Sequence, residues 1–304
     1  VRRRPGRRGR AVILAALLLA GAFVAPAEVD VAAIVAAPNA GTLAARLEAV
    51  SRPFLDAPYV LSPLGEGEGA TPDADPRLRF DAFDCTTFVE TALALALSTS
   101  VDEARGRLDV IRYQGGVVDF VSRRHFPEAE WIPALVGAGL LEDITRSVGG
   151  DAVVVERKRI GPDIWTRTKH PGLPPLPLSR IPDGTFALDV WPLAAAAAAP
   201  ERIPDGTVLH LVRADFKNVP VRVSHQGLVL TVKGQKVLRH AADRLHHRVV
   251  DEPLDRYFAR MARYGKWPVT GVHLTAVVAR PGWEQRLRPA AGAPTLPATP
   301  SGGG

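Results

Sequence analysis

The 304-residue chain holds a single cysteine, Cys85, and eight histidines. Cys85 lies in the run Phe80-Asp-Ala-Phe-Asp-Cys-Thr-Thr-Phe-Val-Glu90. Asp84 is a favoured N-cap type, which makes Cys85 the first residue of a helix. The free amides and partial positive charge at that end favour a thiolate. They also suit the oxyanion of an attacked carbonyl. A small core side chain fits this position equally well, so a partner must decide. One thiol cannot form a disulfide within its own chain, and it excludes a zinc site built from several thiolates.

The partner comes from two later segments. Val221-Arg-Val-Ser-His-Gln-Gly-Leu-Val-Leu-Thr-Val232 alternates apolar and polar residues and carries His225 mid-strand. The next alternating run, Lys236–Ala241, carries His240. An even number of residues in the turn at Lys233-Gly234 puts both rings on one face; an odd number separates them. On one face they are within side-chain reach. A base with an orienting neighbour is what thiol catalysis needs. His125, in Ser122-Arg-Arg-His-Phe126, is the rival base, although its loop setting between basic residues suits substrate contact better. His240, Asp243 and His247 have a spacing that could hold a metal on a helix. That segment reads as strand then loop, so no metal and no cofactor are expected. His170, His210, His246 and His273 carry no separable signal.

The surrounding elements must position these groups. Leu43, Leu47, Val50 and Phe54 mark a helix over Thr42–Leu55. A Gly/Pro/Asp-rich loop follows over Ser62–Pro76. The helix from Asp84 to Ser98 is apolar on all sides and should be buried. Val110–Phe120 reads as a hairpin turning at Gly115-Gly116, and Trp131–Leu141 as a short helix. Lys169–Pro177 reads as an irregular connection. Ile-Pro-Asp-Gly-Thr occurs at 181–185 and again at 203–207, two similar turns each entering a strand. Val208–Arg213, Val221–Val232, Lys236–Ala241 and Val272–Ala279 read as strands. Early helices and late strands predict an α+β fold with an antiparallel sheet.

Hydrophobic residues make up 46% and charged residues 23%, ordinary for a globular chain. The net charge of +6 is misleading, because six arginines fall in the first ten residues. Without residues 1–27, basic and acidic side chains balance at 32 each, and no nucleic-acid partner is expected. The basic start, the apolar run Ala11–Ala20 and Ala25-Pro26-Ala27 fit a signal peptide cleaved near Ala27. The expected layout is a leader at 1–27, one catalytic domain at 28–287 and a Pro/Ala/Gly tail at 288–304. The expected location is the periplasm or cell envelope, with no membrane span once the leader is removed.

The run Phe83-Asp-Cys-Thr-Thr-Phe-Val-Glu90 resembles the cysteine motif of the papain-like, NlpC-type murein hydrolases, nearest to the N-acetylmuramoyl-L-alanine amidase-like branch. Three further stretches share the likeness. They are Ala57-Pro-Tyr-Val-Leu-Ser-Pro-Leu-Gly-Glu66, the middle motif from Arg112-Tyr-Gln-Gly-Gly through Ser122-Arg-Arg-His to Trp131-Ile132, and the histidine strands Ser224-His-Gln-Gly-Leu-Val229 and Leu238-Arg-His-Ala241. The resemblance spans about Leu43 to Val278. It implies a papain-like fold, with the cysteine helix packed on an antiparallel sheet. It also implies Cys85 as nucleophile, His225 as base and His240 as orienting residue, with Tyr59 lining the site. Tyr59, Asp84, Arg123 and His125 are the candidate substrate contacts. The implied activity is hydrolysis of a peptidoglycan stem-peptide amide, at the lactyl bond to L-Ala or the γ-D-Glu bond to the diamino acid. Acyl transfer, lipid-amide hydrolysis and an inactive wall-binding protein are the alternatives. The alanine-rich run Ala194–Ala199 departs from the family pattern and is expected to be a loop.

Overall fold

The computed structural model describes residues 29–37, 41–167, 176–217 and 219–288. The leader, residues 169–175 of the Pro-rich connection, His170 and the tail beyond Arg288 lie outside the described residues. The strands are β1 (Leu141–Asp143), β2 (Val154–Ile160), β3 (Gly184–Pro192), β4 (Thr207–Arg213), β5 (Val223–Val232), β6 (Gln235–Ala242), β7 (Arg248–Pro253) and β8 (Val269–Val277). They form one eight-stranded antiparallel sheet in the order β2-β3-β8-β4-β5-β6-β7, with β1 also paired to β8. The first helices are α1 (Val31–Ala36), α2 (Leu43–Ser51), α3 (Cys85–Ala96), α4 (Val101–Arg112) and α5 (Ile132–Ala138). Then come α6 (Thr145–Gly149), α7 (Pro162–Trp165), α8 (Leu193–Ala198), α9 (Leu254–Ala262) and α10 (Trp283–Leu287). Among the described residues, no helix is long and apolar enough to cross a membrane.

Alternation along the strands sends successive side chains to opposite faces, and each face has its own core. On one, Phe88, Val89 and Leu93 of α3 join Val208, Leu228 and Leu230. On the other, Tyr257, Phe258 and Met261 of α9 and Ala196 of α8 join Leu211, Val229, Leu238 and Leu274. The α+β architecture with an antiparallel sheet is as the sequence suggests, and α3 is buried along nearly its whole length. Both Ile-Pro-Asp-Gly-Thr turns lead into strands, β3 and β4.

Two expectations fail. Val110–Phe120 is not a hairpin: Val110 belongs to α4. Ser100 caps that helix, taking the Glu103 N–H at 3.2 Å, and Ala104, Leu108 and Ile111 bury one face at helical spacing. Gly115 and Gly116 do adopt positive φ, but in a short turn after the helix. The alanine run is not a loop. Alanine has the highest helix propensity, and α8 packs Leu193 and Ala196 into the second core.

Candidate active site

Asp84 begins α3 in β conformation. Its Oδ1 accepts from the Thr87 backbone N–H at 2.7 Å, while Thr87 Oγ1 accepts from the Asp84 N–H at 3.0 Å. This reciprocal cap fixes Cys85 at the first helical position. Asp84 Oδ2 takes the Ser62 N–H at 3.0 Å, which ties the preceding loop to the same helix end. Both carboxylate oxygens are therefore engaged in holding the cysteine in place.

The histidines come from the β5–β6 hairpin. Lys233 and Gly234 have φ of 51° and 80°, the signs that a two-residue hairpin turn requires. The turn is even-numbered, and pairing runs from Val232↔Gln235 to Leu228↔Arg239. His225 and His240 therefore share a face. Gly227, two residues along β5 from His225, faces β6, and a Cβ there would stand 2.8 Å from Leu238 Cδ1 and 2.9 Å from His240 Cβ, so only hydrogen fits. His225 Nε2 is 2.7 Å from His240 Nδ1, and the rings are nearly perpendicular. His240 Nε2 is 3.2 Å from Glu252 Oε2 on β7. Arg260 of α9 holds the same carboxylate, with Nε on Oε1 at 2.9 Å and Nη2 on Oε2 at 2.5 Å.

These contacts fix the tautomers. Burial works against ionising Glu252, but hydrogen bonds from His240 and Arg260 outweigh it and hold the carboxyl at about 2. An ionised carboxylate only accepts, so His240 Nε2 carries a hydrogen and its Nδ1 is an acceptor. His225 Nε2 must then donate, which leaves the His225 Nδ1 lone pair as the free proton acceptor. Burial, with the positive charges of Arg260 and Arg213 adding to it, holds His225 well below the ordinary histidine value. Burial also lowers His240.

Cys85, His225 and His240 line one cavity of about 440 Å³, together with Tyr59, Arg213, Tyr257, Arg260, Tyr264 and Trp267. The backbone N–H groups of Gln226 and Thr86 are directed at the sulfur and favour its anion. Burial and the neighbouring Asp84 charge outweigh them and push the thiol up to about 12. The helix N-terminus thus supplies the expected donors, but burial favours a neutral thiol on the same cavity wall as the neutral His225 imidazole.

Of the other candidate contacts, Tyr59 reaches the cavity wall, and burial raises its hydroxyl above the usual range. Arg123 and His125 are not among its lining residues. Arg123 is buried and holds Glu66 at 2.5 Å and Asp73 at 2.6 Å. His125 packs on Phe120 with Nε2 on its carbonyl at 2.7 Å, and burial takes its pKa down to about 3. The middle motif builds scaffold. Arg112 pairs with Glu90 of α3 at 3.0 Å and donates to the Leu64 carbonyl at 2.7 Å. Trp131 Nε1 holds the other Glu90 oxygen at 2.9 Å, and Tyr113 hydroxyl donates to the Gly65 carbonyl at 3.0 Å.

Sequence reasoning missed Glu252, Arg260, Tyr257 and Arg213. Tyr257 packs 5.4 Å from the His240 ring, and its buried hydroxyl has no hydrogen-bond partner among the described residues. The β4–β5 register, Leu211↔His225, would have flagged Arg213, since alternation places Arg213 on the face of Leu211.

A thiol sharing a cavity with an imidazole–imidazole–carboxylate chain has the groups that nucleophilic cleavage of an amide requires. The chain belongs to the N-acetylmuramoyl-L-alanine amidase-like (AmiA-like) family, whose model matches residues 49–264. Among solved structures it is similar to an N-acetylmuramoyl-L-alanine amidase from Bacteroides uniformis. The two are 26% identical, with 78% of this chain and 99% of that one covered and a TM-score of 0.60. It also shares its fold with a Legionella pneumophila protein, at 24% identity, 78% and 90% coverage and a TM-score of 0.70. No protein of curated function matches it.

Proposed function

We propose that this protein is an exported, papain-like cysteine amidase of the NlpC type that cleaves the lactyl amide between N-acetylmuramic acid and L-Ala. The observation that carries this reading is the hydrogen-bonded chain His225–His240–Glu252 on the cavity that holds the sole cysteine. The family and the Bacteroides amidase supply the substrate class. His225 Nδ1 takes the Cys85 proton as sulfur attacks the lactyl carbonyl. The N–H groups of Gln226 and Thr86, directed at the sulfur, and the hydroxyls of Tyr59 and Tyr257 on the cavity wall are the donors proposed to meet the developing oxyanion. His225 returns the proton to the leaving L-Ala amine as the C–N bond breaks. Water, deprotonated by His225, then cleaves the thioester and restores the thiol. The leader at 1–27 would deliver the enzyme to the envelope, where murein is found.

Mass analysis of products from purified N-acetylmuramoyl peptides tests the assignment. Peptides beginning at L-Ala, with free N-acetylmuramic acid, are expected. Peptides beginning at the diamino acid would move the cut to the γ-D-Glu bond, and intact substrate would overturn hydrolysis altogether.

The orienting role of His240 gives a graded expectation. His240→Ala should lower kcat by about 10- to 100-fold and leave measurable turnover, since it acts through His225. The double variant His225→Ala/His240→Ala should be no slower than His225→Ala. Additive losses in kcat would show that His240 acts independently of His225.

The pH profile follows from the buried imidazole. The active pair carries one proton, and it is lost as a catalyst when His225 also binds one. Burial holds His225 well below 6.5, so protonation inactivates the pair only under acid conditions. The kcat/KM profile should stay flat through neutrality, with its acid limb below pH 6.5. A limb at or above 6.5 would contradict a desolvated His225.

A further inference from the structure

The amide chemistry leaves one charge in the cavity unused. Of the three arginines on its lining, Arg260 is neutralised by Glu252, and Arg244 lies 3.8 Å from Asp243. Arg213 is half-buried at the end of β4, and among the described residues no carboxylate stands within ion-pair reach of it. Its position is nonetheless fixed. Nε donates to Ser224 Oγ at 2.6 Å, and Nη1 donates to the Trp267 carbonyl. The Tyr264 and Trp267 rings lie 4.6 and 5.2 Å from Cζ. Nη2 has no hydrogen-bond partner among the described residues.

A partly desolvated guanidinium is costly without a counter-ion, whereas a planar carboxylate meets its donor geometry well. Ser224 adjoins the base His225 in sequence, so an anion held at Arg213 sits close to the reacting centre. The aromatic brackets limit the side-chain freedom that such binding would otherwise remove.

We propose that Arg213 binds a free carboxylate of the substrate, so that this site selects amides within acidic peptides. The proposal rests on the cavity being the site of amide cleavage. With lysine as its diamino acid, a stem tripeptide offers two such groups, the α-carboxylate of its γ-linked glutamate and its C-terminal carboxylate. Both present the same chemistry to a guanidinium.

The test uses four N-acetylmuramoyl-L-Ala-γ-D-Glu-L-Lys tripeptides, with each of the two carboxyls either free or converted to the carboxamide. Their kcat/KM values are measured with the wild type and with Arg213→Gln. Their binding to Cys85→Ala and to Cys85→Ala/Arg213→Gln is measured by calorimetry. The wild type should prefer one acid over its carboxamide by about 10- to 100-fold, the range of a charge-assisted hydrogen bond. Arg213→Gln should bring that ratio towards one. Which of the two acids shows the effect identifies the bound carboxylate. A wild type indifferent to all four peptides would overturn the proposal. So would an Arg213→Gln variant that keeps the acid preference while losing rate on every peptide, since that is the mark of a structural role. If the wild type cleaves none of them, the amidase reading fails, and the calorimetric preference of Cys85→Ala alone decides. Its absence overturns the carboxylate site.

Discussion

Cys85→Ala and His225→Ala should each lower kcat on an N-acetylmuramoyl peptide by at least about 10³-fold while leaving the thermal midpoint close to that of the wild type. No other residue can replace the lost group, because Cys85 is the only thiol. In His225→Ala the His240 ring stays tied through Nε2 to Glu252, which Arg260 holds in turn, so it is not free to move into the place of His225. His125 cannot either, because it is held against Phe120 and is not part of the cavity lining. Cys85→Ala removes one sulfur at a helix start whose cap is made by Asp84 and Thr87, so the helix should persist. Turnover by His225→Ala at the wild-type rate, with none in His125→Ala, would transfer the base to His125.

The largest effect on stability is expected at the buried pair that anchors α3. Glu90 and Arg112 have side chains 3% and 9% exposed, and Arg112 also holds the loop carbonyl of Leu64. Breaking such a pair from one side leaves an uncompensated buried charge, at a cost of about 3–5 kcal/mol. For a chain of this size, Arg112→Met should lower the thermal midpoint by about 10 °C. Burial pushes Glu90 up, and Arg112 opposes that shift. Without Arg112 the folded-state pKa rises further above the unfolded value. The protonated form then favours folding, and that contribution fades as pH rises through the folded pKa. The deficit of Arg112→Met should therefore shrink on acidification towards the ordinary glutamate value of 4.5. The double variant Glu90→Leu/Arg112→Met should melt above either single variant. A single variant that melts like the wild type would show the pair to be unimportant.

Much of the candidate site could be read from local signals. Asp84 before Cys85 announces a cap, and the structure contains it with both reciprocal bonds. Lys233-Gly234 between two alternating runs announces a short turn, and that parity alone puts His225 and His240 on one face. Glu252 and Arg213 were hidden because they depend on register between strands. The β6–β7 connection is a longer loop whose length does not fix pairing, and both partners of β4 slip register just before Arg213, skipping Ser224 of β5 and Thr270 of β8. Arg260 and Tyr257 needed the docking of α9 on the sheet, a tertiary fact. Arg123 and His125 misled because a basic cluster resembles a substrate contact, whereas the acids that neutralise Arg123 lie some 50 residues away in the preceding loop. The absent hairpin at 110–120 has a local explanation. Its glycine pair outweighed the Ser100-Val-Asp-Glu103 start signal of α4, which was equally visible.

The most direct test of the central claim exploits the single cysteine. The protein is treated with methyl methanethiosulfonate, which can place a small methylthio group only on Cys85. The modified fraction is read by intact mass, and release of L-Ala peptides from an N-acetylmuramoyl tripeptide is measured on the same samples. With Cys85 as nucleophile, activity should fall in proportion to the modified fraction, reach background at one equivalent, and return when dithiothreitol removes the group. Full modification with peptide release undiminished would contradict the cysteine mechanism.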